Sequence, residues 1–140
     1  MSFEYMYGPR KIIELPLDST SADITVGLML TASGATDGYF KEVDTESEAV
    51  TGVAVSKVSS PATDGAATVK VDVSPASVYR VSPDAGNIAV TDAMNTADVG
   101  ADGLTVNIDA SATDDIQILS VDVDANTMAV SIVPTFSGVA

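Results

Sequence analysis

The 140-residue chain has no cysteine, no histidine and no tryptophan. Without cysteine there is no disulfide framework and no thiolate nucleophile. Without histidine, neither a Ser–His–Asp triad nor an imidazole metal site can be assembled. Only seven aromatic residues occur, which leaves little of the flat apolar surface on which sugar rings are bound. Positive charge is also scarce. Six Lys and Arg stand against 20 Asp and Glu, a formal net charge of −14. Such a chain repels nucleic acid, whose binding rests on phosphate neutralisation, and it repels anionic membrane surfaces. The partners it suits are proteins with basic patches.

Long apolar runs are missing too, and nothing approaches the roughly 18 residues of a membrane-spanning helix. The stretch ITVGLMLTASGA, 24–35, comes nearest to a signal peptide. It follows Asp18 and Asp23 rather than a basic region, and it reads as a buried strand. Synthesis and use in a cytoplasm are therefore expected.

What the chain does have is β-branched residues. Nineteen Val and 14 Thr outnumber six Leu, a composition that fits pleated, half-buried surfaces. Alternation places the strands. In ATVKVDV, Val69, Val71 and Val73 take one face, with Thr68, Lys70 and Asp72 on the other. GLTVNID turns Leu104, Val106 and Ile108 inward, and MAVSIV does the same with Met128, Val130 and Ile132. ITVGLML sets Ile24, Val26, Leu28 and Leu30 on one face, which leaves Met29 outside. In IQILSVDVD the phase slips after Ile118, as a bulge or burial on both faces would require.

Turn residues punctuate these runs at 33–38, 59–65, 82–87, 101–103 and 122–126. Segment 91–100 is either a loop or a short helical turn capped by Thr91 or Asp92. Short strands with regular breaks predict an all-β fold, a small β-barrel or sandwich. The body is placed at 24–140 and an extended N-terminal arm at 1–23, joined by the polar link LDSTSAD.

Candidate chemistry is thin. Carboxylate neighbours occur at Asp114–Asp115, Asp122–Asp124 and Glu46–Glu48. Glycosidases use such pairs, but twenty acids make neighbours by chance. DVDANT begins like a calcium loop, yet Thr127 stands where the loop needs glycine and Val133 where it needs its bidentate Glu. A polar turn is the simpler reading. Tyr39 and Phe40 read as half-buried beside Val43 rather than as a binding patch. No catalytic residue, metal site or cofactor is expected.

The opening stretch, MSFEYMYGPRKI, is different. It concentrates three of the seven aromatics and two of the six bases in its first eleven residues. Tyr and Arg tend to dominate interface energies, and an exposed apolar cluster is a liability unless covered. Phe3, Tyr5, Tyr7, Arg10, Lys11, Ile12 and Ile13 are therefore the candidate partner-binding residues. The segment can dock on another chain, fold back on its own body, or be a frayed end. In the first case KIIEL adds a strand to a neighbour's sheet edge. Removing residues 1–15 is then expected to leave a folded body.

The stretches DITVGLMLT and TDGYFKEVDTESEAVTGVAVSKVSSPATDGAATVKVDVSPASVYRV resemble the capsid decoration proteins of tailed bacteriophages, also called head-stabilising or cement proteins. Val50, Gly52, Val53 and Ala54, then Val69 and Val71, carry the likeness, and DDIQILSVDVDANTMAVSIVP is similar to the group's closing hairpin. It spans roughly residues 23–133. The resemblance implies a β-barrel or β-tulip body on the outer surface of an expanded icosahedral head. It also implies a homotrimer, or a dimer, whose arm crosses neighbouring major capsid protein subunits and staples them against packed DNA. Two other classes compete. One is a secreted β-sandwich adhesin or carbohydrate-binding module. The other is a different virion part, a tail tube or fibre domain.

Overall fold

The alternation in ATVKVDV becomes strand β6 (Thr68–Asp72), with Val69 and Val71 buried and Thr68 and Lys70 exposed. MAVSIV becomes β11 (Thr127–Ile132), burying Met128, Val130 and Ile132. The computed structural model describes residues 2–34 and 38–134. The remaining strands are β1 (Glu4–Tyr7), β2 (Ile12–Pro16), β3 (Met29–Ala32), β4 (Phe40–Glu42) and β5 (Gly52–Ala54). They continue with β7 (Val78–Val81), β8 (Thr96–Val99), β9 (Val106–Asn107) and β10 (Ile116–Asp122). Between β7 and β8 the chain makes one 3₁₀ turn, Val90–Asp92. Asp92 caps it by accepting from the Ala89 N–H at 2.7 Å.

The strands form two antiparallel sheets. One has the order β1-β7-β11-β10-β8-β9 and the other β2-β6-β5-β3-β4. The fold is thus all-β, as the composition predicts, but the expected barrel does not close. A single parallel bridge, Leu17 to Phe40, draws the outer strands of the five-stranded sheet together at one end. The arrangement is that of a β-sandwich.

Two apolar clusters hold it. The first lies between the sheets and includes Tyr79, Val99, Ile116, Ile118, Met128 and Val130 with Met29 and Val53 from β3 and β5. The second gathers Leu15, Leu17, Leu30, Phe40, Ala54, Val69 and Val71. Side chains alternate along a strand, so neighbours Met29 and Leu30, and Val53 and Ala54, reach opposite clusters. The middle of the five-stranded sheet is therefore buried on both faces. That corrects the placement of Met29 outside, since its side chain is fully buried. It also corrects the long strand read over 24–30. Gly27 at φ +89° turns the chain, Leu28 N–H bonds the Thr25 carbonyl, and Val26 is left exposed. The phase slip at Ile118 is a bulge, since the register against β11 shifts between Ile118 and Ser120. The shift brings Val121 back against the first cluster.

Residues 2–23 pack against the rest of the chain. β1 pairs with β7 and β2 with β6, so one continuous ribbon forms the outer strand of both sheets. Phe3, Leu15 and Leu17 are buried in the two clusters, and Asp18 and Ser21 are buried as well. Deleting residues 1–15, expected from the sequence to leave a folded body, would strip an edge from each sheet. Entropy explains the outcome. Pairing with a strand of the same chain costs only loop closure, which grows slowly with length.

Candidate functional site

The ribbon turns from one sheet to the other at Gly8–Lys11, alongside the β6–β7 connection at Ser74–Ser77. Gly8 has φ +102°, and a Cβ there would lie 2.2 Å from the Ala76 carbonyl oxygen. Only glycine allows so close an approach. The Pro9 carbonyl accepts from Ser74 Oγ at 2.7 Å and Ser77 Oγ at 3.3 Å.

At this corner Asp72, on the outward face by alternation alone, is fully buried. Its carboxylate accepts from Lys11 N–H at 3.1 Å, Ser74 N–H at 3.0 Å and the Tyr79 hydroxyl. Arg10 Nε lies 3.7 Å away. Burial alone would raise the Asp72 pKa; the hydroxyls of Ser77 and Tyr79 and the two backbone donors outweigh it and lower the pKa. Burial beside that carboxylate in turn holds the Tyr79 phenol well above its ordinary value. Arg10 covers the corner, its guanidinium carbon 3.8 Å from the Tyr5 ring centroid. Tyr5 and Phe3 both meet Tyr79 edge-on, at 5.9 Å and 6.5 Å between centroids.

The seven candidate residues therefore divide. Phe3 is 2% exposed and belongs to the core, and Ile13 packs half-buried against the second cluster. Tyr5, Tyr7 and Ile12 are 40%, 58% and 44% exposed, and Arg10 and Lys11 are exposed beside them. The structure adds Met6, exposed at the bulge between Tyr5 and Tyr7. The sequence reading did not single it out. Two shallow cavities flank Arg80. One, about 200 Å³, is lined by Met6, Ser120, Asp122, Thr127 and Ala129 among others, and one of about 260 Å³ by Ser2, Glu4 and Ser82 among others.

Along β2, Leu17 N–H bonds the Ala67 carbonyl and the Lys11 carbonyl accepts from Val73 N–H. Alternation then turns the backbone groups of Ile12, Glu14 and Pro16 away from β6. Pro16 has no N–H to leave unpaired there, the position at which a strand tolerates proline.

The acidic pairs elsewhere pin loops. Asp98 is fully buried and accepts from the N–H groups of Ala112, Thr113 and Asp114 at 2.8–3.0 Å, and from Ser47 Oγ. Burial would raise its pKa, but these donors together lower it to about 2. Asp115 accepts from Val50 N–H, and burial raises its pKa. Asp122 caps the turn before β11 by accepting from Ala125 N–H, so DVDAN forms a polar hairpin turn. Glu48 accepts from the N–H groups of Asp44 and Thr45. Phe40 and Val43 are buried and Tyr39 half-buried, its ring against Gly65.

Comparisons with protein-family models, with curated proteins and with solved structures return no match.

Proposed function

We propose that this chain is a structural virion protein that binds the outer surface of an expanded icosahedral phage head and staples neighbouring major capsid subunits. The observation that carries the reading is the ribbon itself. Tyr5, Met6, Tyr7 and Ile12 are four of the nine large hydrophobic residues exposed among the described residues, and they fall within eight positions. Exposed apolar groups gathered on one edge mark a contact surface. The buried Asp72 and the Arg10–Tyr5 stack hold that edge in shape before any partner arrives, which reduces the ordering cost of binding. Binding confined to the assembled shell would stabilise it by mass action. The sequence resemblance supplies the identity of the partner.

Cosedimentation with emptied heads of the phage that carries the gene tests the proposal. The chain should pellet with expanded heads and stay in solution with unexpanded ones. A Met6→Ser, Tyr7→Ser double variant should unfold like the unaltered chain and lose about tenfold or more in affinity, as truncated interface anchors do. Full occupancy by the variant would remove the ribbon from the contact, and no binding of the unaltered chain to either head form would end the capsid reading. The open two-sheet architecture also favours a secreted β-sandwich module. That alternative predicts glycan binding by the unaltered chain and none to heads.

A further inference from the structure

The geometry points to a second copy of this chain as the occupant of the β2 edge, the two copies pairing β2 to antiparallel β2 across a two-fold axis at Ile13. Three observations carry the inference, and none depends on the capsid reading.

The first is the open backbone. Ile12 and Glu14 turn their N–H and carbonyl groups away from β6, and among the described residues neither has a hydrogen bond outside the β2–β6 ladder. The free edge is short. The Leu17–Phe40 bridge and the Asp18 N–H bond to the Phe40 carbonyl close it at one end, and the turn at Pro9–Lys11 ends it at the other.

The second is register. An edge with two outward residues fits its own copy in one antiparallel alignment, Ile12 against Glu14 and Glu14 against Ile12, with Ile13 facing Ile13. Each of the two hydrogen-bonded pairs exchanges both backbone bonds.

The third is charge. The ribbon, residues 2–16, and the stretch it pairs with, 68–82, hold four bases, Arg10, Lys11, Lys70 and Arg80, against three acids, Glu4, Glu14 and Asp72. The other 110 residues hold two bases and seventeen acids. Two copies meeting elsewhere face this excess of acids on both sides. Here they meet where charge nearly cancels and where Ile12 is exposed.

Sedimentation equilibrium of the full chain over a wide concentration range is the first measurement. The expected mass is twice the 14.2 kDa of one chain. Ile12→Glu sets two carboxylates against those of Glu14 and should weaken association at least tenfold, with an unchanged circular dichroism spectrum. Glu14→Pro removes an outward N–H that β6 does not use and should weaken it as well. Ile13→Cys reads the register independently. The chain has no other cysteine, and residues facing each other in a non-hydrogen-bonded pair come within disulfide reach. Mild oxidation should therefore give a covalent dimer, while Ser120→Cys, on the other sheet, should not. A monomer at every concentration, a three-fold mass, or a dimer indifferent to both Ile12→Glu and Ile13→Cys would overturn the pairing. So would a monomer that captures a strand from isolated capsid subunits. Loss of head binding with the dimer intact would count against the capsid reading alone.

Discussion

Replacing Phe3 by alanine asks whether the N-terminal ribbon belongs to the folding unit. Phe3 is 2% exposed, packs edge-on against Tyr79, and donates its N–H to the Gly27 carbonyl at 3.0 Å. The backbone bond survives in Phe3→Ala, so the loss is the ring and the cavity it leaves. Buried Phe→Ala changes cost about 3–5 kcal/mol. Position argues for the lower end, because a terminal strand can fray and cap the loss at its own docking free energy. A cost of about 3 kcal/mol is a large share of the 5–15 kcal/mol that holds a domain together. For a chain this long it should lower Tm by about 10 °C. Urea denaturation followed by circular dichroism measures the change. Val26→Ala, at a site 59% exposed, serves as control and should fall within about 0.5 kcal/mol of the unaltered chain. If Phe3→Ala unfolds as close to the unaltered chain as that control does, the ribbon is not docked on its own sheets and the corner built around Tyr79 is wrong.

Gly8→Ala should destabilise by about 2 kcal/mol or more, since a Cβ there meets the Ala76 carbonyl at 2.2 Å in a left-handed conformation; an unchanged urea midpoint would mean the corner takes another path. Acid should loosen the 109–115 loop through Asp98. Its folded pKa of about 2 lies below the ordinary Asp value of about 3.9, so the stability it adds is complete above about pH 4 and is lost as pH falls from there towards 2. The contribution is about 2 kcal/mol, and in Asp98→Asn the pH dependence of the urea midpoint should flatten across that window. Asp115 carries the opposite sign, because burial raises its pKa. Asp115→Asn removes a buried charge and should raise the neutral-pH midpoint slightly, while a fall would show that the ionised form is needed by Val50 N–H.

Strand positions were legible wherever one face is buried. Val69 and Val71, and Met128, Val130 and Ile132, alternate with polar residues because water lies on the other side. The reading failed at β3 for the converse reason. Met29 and Leu30 are both buried, so no period of two exists to be found, and Gly27 breaks the run at a point that hydropathy does not mark. The slip after Ile118 was visible because a bulge inverts the phase while leaving both halves alternating. Asp72 was read as a surface residue. Its donors lie on residues 11, 74 and 79, and only the folded corner brings them together. The ribbon was found but its partner was not. Aromatic anchors and an alternating KIIEL satisfy an edge of the same chain and an edge of a foreign one by the same physics.

An edge that carries exposed tyrosine, methionine and isoleucine would ordinarily invite aggregation. Here the same devices that prevent it also select a contact. Pro16 and the turn at Gly8–Pro9 interrupt the edge, so only Ile12 and Glu14 offer free backbone on β2 and no long ladder can propagate. Seventeen acids outside the ribbon and its pairing stretch, against two bases, repel disordered approach from other directions. What remains is one short, nearly neutral segment, locked to the core by Phe3, Leu15 and the Asp72 cluster. Because that segment is the outer strand of both sheets, a partner bound to it pulls on both ladders together. Binding energy gained there is also folding energy by linkage, so occupancy of the ribbon should stabilise the element most prone to fray.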